Sequence, residues 1–255
     1  MIKYLKGILK YFLRLQDEDI VPFRTHELPQ DITDNERDIL RHAAPFTMTS
    51  IDRQLTLCRI IDHILQNKIP GDFVECGVWR GGSSMIAAMK FKEHESNRKL
   101  WLYDTYEGMP PPDDSADISY DGQKASATLL NEEPIKQSSL VWAIGSLKEV
   151  EKNLFSTQYP QENILLIKGE VEKTIPGDHM PTLISVLRLD TDWYSSTLHE
   201  LMHLYPLVVQ GGFIIIDDYG HWRGAKTAVD EYLRDIHPKP YLHRIDYTCR
   251  VIQKL

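Results

Sequence analysis

Short apolar runs alternate with amphipathic segments along most of the chain. Five mainly apolar runs fall at residues 72–76, 100–103, 164–167, 186–189 and 213–216. Apolar residues recur at helical spacing in residues 50–66, where Ser50 stands at the N-cap position, and in residues 83–91. Apolar strands that alternate with helices are typical of a parallel sheet covered on both faces. The pattern therefore predicts an α/β fold with a mostly parallel central sheet and helices on both faces.

Two segments lie outside this alternation. Residues 1–16 interleave four basic residues with apolar ones at helical spacing, and residues 17–49 are polar and interrupted by proline. This N-terminal helix is expected to pack on its own domain or on a second subunit, with an anionic membrane surface as the alternative. The stretch after residue 104 is rich in proline and aspartate, which predicts a mobile lid or a long insertion. We expect an N-terminal arm over residues 1–45 and one domain over 46–255, with an insertion at 105–145.

Composition and charge narrow the classes of function. The 255 residues include 29 basic and 37 acidic ones, and the net charge of −8 disfavours nucleic-acid binding, which needs clustered lysine and arginine. No apolar run reaches the roughly 18 residues of a membrane-spanning helix, and no signal-peptide pattern is present. The three cysteines are far apart and form no CxxC motif, which argues against a disulfide scaffold or a cysteine-rich zinc site. A cytoplasmic protein without stable membrane insertion is expected.

Acidic residues stand at the ends of four predicted strands. They are Glu75, Asp104, Asp190 and the pair Asp217 and Asp218. In an open α/β sheet, ligands bind in the crevice beyond the carboxyl ends of the strands. The sequence therefore predicts that these carboxylates share one crevice, and this is its main functional signal.

The glycine-rich turn at residues 74–84 nearly matches two phosphate-binding motifs and fits neither. Ser83 stands where a P-loop requires lysine, and Glu75 stands where a dinucleotide fingerprint requires its first glycine. A carboxylate there repels a pyrophosphate but suits the sulfonium and ammonium groups of S-adenosylmethionine. Gly77 would let the backbone approach this ligand, and the amides around Ser83 would bind its carboxylate. Asp104 is placed to accept hydrogen bonds from a ribose, in this cofactor or equally in NAD.

Three further carboxylates predict a site for a hard cation. Asp190, Asp217 and Asp218 follow two neighbouring strands and offer the all-oxygen ligands that Mg²⁺ prefers. A divalent ion would also relieve the repulsion between them. The alternative is that these acids cap helices or pair with Arg188 and Arg223.

Two other motifs predict different chemistry. Residues 190–192 form a DxD, which is typical of nucleotide-sugar glycosyltransferases but leaves Glu75 and the glycine-rich turn unexplained. Residues 199–203 match the zinc-protease motif HExxH. Their apolar stripe is expected to face the core and leave both histidines towards the outside. The stripe consists of Leu198, Leu201, Met202 and Tyr205. Val209 occupies the position of a third ligand, so a zinc site is disfavoured. A non-catalytic scaffold on the same fold is the remaining alternative.

Five motifs occur in the order found in one known family. They are FTMTS at residues 46–50, FVECGVWRGGS at 73–83, DTYEGM at 104–109, LDTDWYSST at 189–197 and, at 211–222, GGF followed by DDYGHW. With them the chain resembles the macrocin O-methyltransferases, which act on deoxysugar hydroxyls of natural products. The resemblance covers residues 46–229 and implies a Rossmann-like class I methyltransferase fold. It also implies a small glycosylated or polyhydroxylated acceptor, recognised by the N-terminal arm and the insertion, and a homo-oligomer.

The resemblance further implies cofactors and residue roles. The cofactors are S-adenosyl-L-methionine and Mg²⁺. The implied metal ligands are Asp190, Asp217 and Asp218, and the implied general base is Asp192. The implied cofactor contacts are Met48, Glu75, Gly77, Ser83 and Asp104. Related catechol methyltransferases have a lysine three residues after the first metal ligand, where this chain has Trp193. We therefore expect Mg²⁺-assisted O-methylation with Asp192 as the base.

Overall fold

A seven-stranded sheet forms the centre of the protein, whose structure is a computed structural model that describes residues 28–255. The strands are β1 (Asp72–Cys76), β2 (Leu100–Asp104), β3 (Ile164–Lys168), β4 (Ile184–Leu189), β5 (Val208–Ile216), β6 (His243–Arg244) and β7 (Arg250–Gln253). Their order is β3-β2-β1-β4-β5-β7-β6. Strands β1 to β5 are parallel, and β7 runs antiparallel to both β5 and β6. The predicted, mostly parallel sheet is confirmed.

Helices cover both faces of this sheet. They are α1 (Asp34–Ala43), α2 (Ile51–Gln66), α3 (Gly82–Glu93), α4 (Ala125–Glu132), α5 (Leu147–Phe155), α6 (Val171–Thr174), α7 (Tyr194–Leu204) and α8 (Arg223–Leu233). Short 3₁₀ turns lie at Ala44–Phe46, Glu133–Ser138, Gln161–Asn163 and Tyr205–Leu207. Ser50 caps α2 as predicted, because its hydroxyl accepts a hydrogen bond from the Arg53 amide at 3.3 Å.

The core has two layers because successive residues of a strand point to opposite faces. In β1, Phe73 packs with the helices of one face, and its neighbour Val74 packs with those of the other. Both side chains are fully buried. Burial on both faces explains why the parallel strands are apolar throughout, and it leaves the strand ends for polar residues.

The segment before residue 46 contributes to this core. Residues 34–43, in the expected N-terminal arm, form helix α1, and Thr33 and Glu36 form a capping box at its start. Leu40 and Ala43 of α1 are fully buried against the helices of the main domain. The expected boundary at residue 45 therefore does not coincide with a break in packing. The predicted N-terminal amphipathic helix at residues 1–16 lies outside the described residues.

Three details differ from the expected elements. Strand β5 begins five residues earlier than predicted, and the antiparallel strands β6 and β7 were not predicted. Helix α7 buries Glu200 and Leu201 but leaves Met202 56% exposed, so the expected apolar stripe of this helix was wrong at Met202. Within residues 28–255, no helix is long and apolar enough to span a membrane.

Candidate active site

A cavity of about 310 Å³ opens at the carboxyl ends of the parallel strands. The strand order reverses between β1 and β4, which is where an open α/β sheet forms its ligand crevice. All nine residues predicted for the site line this cavity. They are Met48, Glu75, Gly77, Ser83, Asp104, Asp190, Asp192, Asp217 and Asp218. The structure therefore brings together residues that are spread over 171 positions of the sequence.

Gly77 allows the first and fourth strands to meet at this edge. Its φ is +82°, and a Cβ atom at this position would lie 1.9 Å from the carbonyl oxygen of Asp190. Any side chain here would separate the glycine-rich turn from the strand end that carries Asp190. The glycine is therefore required by packing within the protein, in addition to any approach of a ligand.

Asp104 anchors the glycine-rich turn. Its Oδ2 accepts hydrogen bonds from the amides of Val78 and Trp79 at 2.6 and 3.0 Å, and its Oδ1 accepts one from the amide of Tyr106 at 2.6 Å. The hydroxyl of Thr105 adds a longer contact of 3.4 Å. A carboxylate offers about four acceptor positions, so the protein itself occupies most of the capacity that was expected to bind a ribose.

Glu75 is 1% exposed and is also held by the protein. Its Oε1 accepts a hydrogen bond from Arg188 at 2.6 Å, and its other oxygen accepts one from the hydroxyl of Ser84. Burial raises the pKa of Glu75, and the charge of Arg188 opposes that shift. The carboxylate expected to meet a cationic ligand therefore already has a cationic partner in Arg188.

Asp190, Asp217 and Asp218 converge at the ends of β4 and β5. One carboxylate oxygen from each lies within 4.8 Å of the others, as a metal site requires. Arg188 contacts Asp190 at 2.7 Å and Asp217 at 2.9 Å, while Arg53 pairs with the second oxygen of Asp217. The two arginines outweigh the burial of Asp217 and lower its pKa.

Asp192 and Asp218 differ from Asp217 because neither has an arginine or lysine at ion-pair distance within residues 28–255. Their carboxylates lie within hydrogen-bonding distance of each other. Burial, together with the charges of Asp190 and Asp217, raises the pKa of Asp192 to about 7. Burial and the charge of Asp192 raise the pKa of Asp218 well above its usual range. Two carboxylates in contact require a shared proton or a cation, and this acid cluster (Asp190, Asp192, Asp217 and Asp218) therefore fits a divalent ion.

Asp192 is held in a strained backbone conformation. Its φ is +67°, which costs a non-glycine residue on the order of 1 kcal/mol. The indole Nε1 of Trp222 donates a hydrogen bond to its Oδ1 at 3.1 Å. Trp193 packs edge-to-face on Trp222, with ring centroids 5.2 Å apart. The two tryptophans thus fix a carboxylate that lines the cavity.

A sequence model of a protein family, described as Macrocin-O-methyltransferase (TylF), matches residues 11–254. The chain belongs to the macrocin-O-methyltransferase family. It is 34% identical over 187 residues to the demethyldecarbamoylnovobiocin O-methyltransferase of Streptomyces niveus, which covers 73% of this chain and 67% of that one. It is 32% identical over 192 residues to the mycinamicin III 3''-O-methyltransferase of Micromonospora griseorubida, which covers 75% and 71%.

Solved structures agree with this membership. The O-methyltransferase NovP is 31% identical and superposes with a TM-score of 0.69 over 82% of each chain. The calicheamicin methyltransferase CalS11 is 16% identical and shares the fold, with a TM-score of 0.57. The predicted family and its Rossmann-like methyltransferase fold are therefore confirmed.

The alternative to a cation site, pairing of the acids with Arg188 and Arg223, holds for only one of the two arginines. Arg188 pairs with two of the acids, whereas Arg223 donates instead to the carbonyl of Tyr120 at 3.1 Å. Arg53, which reaches Asp217 from helix α2, was not predicted to belong to the site. An arginine on an amphipathic helix carries no signal of such a contact. The convergence of Arg53 with the acid cluster is visible only in three dimensions.

The HExxH segment is structural in this family member. Glu200 is fully buried and accepts a hydrogen bond from the hydroxyl of Thr191 at 2.9 Å. The ring of His199 contacts the carbonyl oxygen of Ile175 at 2.5 Å. Among residues 28–255, the groups able to hold a metal include neither histidine of the motif.

A second group of possible metal ligands lies on the helical face, away from the cavity. Asp62, Glu93 and His94 bring one ligand atom each within 4.8 Å. The ammonium group of Lys90 lies 2.7 Å from Asp62 and 2.6 Å from Glu93. Because this lysine already neutralises the two carboxylates, the group is an ion-pair network rather than a metal site.

Proposed function

We propose that the protein is an S-adenosylmethionine-dependent O-methyltransferase that uses Mg²⁺ and methylates a hydroxyl of a sugar or a glycosylated natural product. The proposal rests on one main observation: the acid cluster and the glycine-rich turn line the same cavity. Family membership supports the reaction type. One relative, 33% identical over 188 residues, is the 8-demethyl-8-(2,3-dimethoxy-alpha-L-rhamnosyl)-tetracenomycin-C 4'-O-methyltransferase of Streptomyces olivaceus.

The donor set suits Mg²⁺ on chemical grounds. Asp190, Asp217 and Asp218 would hold the ion, since magnesium prefers a few carboxylates completed by water and substrate oxygens. Glu75 and the acid cluster supply five carboxylates, and only three of them, Glu75, Asp190 and Asp217, pair with the guanidinium groups of Arg53 and Arg188. This excess of negative charge is what a divalent cation would balance.

The methyl donor would lie along the glycine-rich turn. We propose that Met48, Gly77 and Ser83 contact it, since they line the cavity beside the start of helix α3. Glu75 and Asp104 line the same wall, but their carboxylates are occupied by protein donors. Their main contribution to donor binding would therefore be the shape of the turn.

Asp192 would act as the general base. When bound, the metal ion would make the acceptor hydroxyl more acidic, and S-adenosylmethionine would supply the methyl group. The hydrogen bond from Trp222 to Oδ1 of Asp192 orients the carboxylate that would take the proton. Positioning of the acceptor oxygen in line with the methyl group would supply much of the rate.

Calorimetry separates this proposal from its alternatives. S-adenosylhomocysteine and a nucleoside diphosphate would each be titrated into the protein with and without Mg²⁺. Micromolar binding of S-adenosylhomocysteine supports the methyltransferase. Binding of the nucleoside diphosphate alone would support a glycosyltransferase, which the family comparison does not favour. Binding of neither would leave a non-catalytic scaffold.

The acceptor requires a separate experiment. Glycosylated metabolites and polysaccharide fragments would be incubated with enzyme and S-adenosylmethionine and screened by mass spectrometry for the gain of one methyl group. A product that forms only with added Mg²⁺ supports the metal-dependent mechanism. The homo-oligomer and the cytoplasmic location stay predictions, which size-exclusion chromatography with light scattering and cell fractionation would check.

A further inference from the structure

Asp117 of the insertion makes an unusual contact with helix α7. It is 1% exposed, and its Oδ1 accepts a hydrogen bond from the amide of Tyr194, the first residue of that helix, at 2.8 Å. Trp193, at the N-cap position, has no side-chain capping bond. Asp117 therefore supplies, from a distant part of the chain, an acceptor for one of the amides that have no partner within the helix at its start.

The second carboxylate oxygen of Asp117 holds the insertion itself. Its Oδ2 accepts a hydrogen bond from the amide of Asp113 at 2.7 Å, and its carbonyl oxygen accepts one from the amide of Ala125 at the start of α4. One side chain thus joins the proline-rich part of the insertion to the loop that carries Asp192. Its charge also lies at the positive end of the α7 dipole.

The residues that follow Asp117 bond to the loop after β5. The amide of Arg223 donates to the carbonyl of Ile118 at 2.8 Å, and the amide of Tyr120 donates to the carbonyl of His221 at 2.9 Å. The insertion is consequently fastened to both loops that carry the acid cluster.

Gly224 provides the space for this carboxylate. A Cβ atom at Gly224 would lie 2.3 Å from Oδ1 of Asp117 and 3.1 Å from the amide nitrogen of Tyr194. An alanine here would favour helix α8 by its intrinsic propensity, yet it would displace Asp117 from α7. The contact between Asp117 and Tyr194 can therefore be disturbed by a substitution of either Asp117 or Gly224.

The insertion also provides part of the cavity wall. Leu129 of α4 packs with Trp193 and Trp222, the two tryptophans beside Asp192. The indole Nε1 of Trp193 donates to the carbonyl of Pro110 at 3.0 Å. Pro110 and Leu129 line the cavity together with the acid cluster, where an acceptor would meet the base.

We propose that Asp117 is a positioning residue that couples the insertion to the loop carrying Asp192, so that the acceptor-binding wall and the general base adopt one shared arrangement. The roles of the wall and of the base rest on the proposed function. The coupling itself rests on the hydrogen bonds of Asp117 and on the space at Gly224.

Hydrogen–deuterium exchange of the full chain, followed by mass spectrometry, tests the coupling. The variants are Asp117→Asn, which places an amide donor against one of the two backbone donors, from Tyr194 or Asp113, and Gly224→Ala, which keeps the carboxylate but displaces it. The matched control is Asp114→Asn in the same insertion, where an exposed carboxylate pairs with Lys124. In both test variants we expect exchange about five- to tenfold faster in peptides over residues 109–125 and 190–197. Peptides from β1 and α2, and the affinity for S-adenosylhomocysteine, should match wild type, as should the whole control variant.

Three outcomes would overturn the coupling. They are faster exchange confined to the insertion, wild-type exchange throughout, and a uniform increase that includes β1 and α2, which would indicate a general loss of stability. Failure of the proposed function has a different signature, because the two test variants can show the paired local change in exchange even if the wild-type protein binds no S-adenosylhomocysteine.

Discussion

The two sides of the cavity differ in how their carboxylates are neutralised. On the β1–β2 side, Glu75 and Asp104 accept hydrogen bonds from an arginine, hydroxyls and backbone amides, so each charge is met within the protein. On the β4–β5 side, Asp192 and Asp218 lie against each other with no cationic side chain at ion-pair distance in the described part of the chain. The carboxylates on the first side already have partners within the protein, whereas those on the second side need a proton or a cation. Under the proposed function, the first side would bind the methyl donor through its shape, and the second would bind the metal ion and the acceptor through its charge.

The largest expected effect comes from removing the base on the charged side. Asp192→Asn should lower turnover about 10²- to 10⁴-fold, because the amide cannot take the proton of the acceptor. The affinity for S-adenosylhomocysteine should change little, since the glycine-rich turn is untouched. Steady-state kinetics with the acceptor found by the screen, together with calorimetry, would measure both. Asp178→Asn, the same change at an exposed position, is the control. Near-normal turnover of Asp192→Asn would show that another group is the base.

A smaller effect is expected on the β1–β2 side, where a substitution should weaken binding of S-adenosylhomocysteine. Asp104→Asn removes one acceptor oxygen from the amides of Val78, Trp79 or Tyr106, which should cost about 1–3 kcal/mol of stability. The affinity for S-adenosylhomocysteine should fall by about tenfold, which corresponds to about 1.4 kcal/mol. The affinity for Mg²⁺ should stay unchanged. Calorimetric titration of each ligand would show whether the loss is confined to the donor; equal losses for both ligands would contradict the division of the cavity.

The smallest effect is a dependence of stability on pH in protein stripped of metal. Burial and like charges raise the pKa of Asp192 to about 7 and that of Asp218 well above its usual range, so the folded state binds protons that the unfolded state releases. Stability should therefore rise as pH falls from about 8 to about 6, by up to about 1.4 kcal/mol per pH unit for each proton taken up. It should be lost as pH rises through the folded pKa. Thermal unfolding at several pH values would measure it.

Two comparisons sharpen this pH experiment. Added Mg²⁺ should flatten the pH dependence, because the ion replaces the protons, and Asp218→Asn should flatten it without metal. A melting temperature that does not change, or that falls, on acidification from about pH 8 to about 6 would contradict the account of the charged side.

The fold was predictable wherever apolar pattern and turn residues agree. The bounds of β1 were predicted to the residue, since Pro70 and Gly71 precede an apolar run that ends at Gly77. Helix α1 was not predicted, because most of its residues are polar and few of them face the core, although Thr33 and Glu36 carry the signal of a capping box. Short antiparallel strands such as β6 and β7 leave little pattern to detect.

The location of the site was predictable, whereas its charge balance was not. Acidic residues at strand ends had to meet in one crevice, because parallel strands end at the same edge of the sheet. The sequence does not specify which carboxylate an arginine neutralises. Arg53 pairs with Asp217, which lies 164 positions further along the chain. The amide of Val78, which donates a hydrogen bond to Asp104, belongs to a turn whose conformation depends on Gly77. Such pairings depend on distances that only the folded chain provides.

Anomalous diffraction from crystals soaked with Mn²⁺, a substitute for Mg²⁺, is the most direct test of a metal site in the acid cluster. We expect one strong peak at the ends of β4 and β5, within about 2.2 Å of a carboxylate oxygen from each of Asp190, Asp217 and Asp218. No peak at these residues, or a peak only at Asp62, Glu93 and His94, would contradict the claim that the unbalanced acids of the cavity form a metal site.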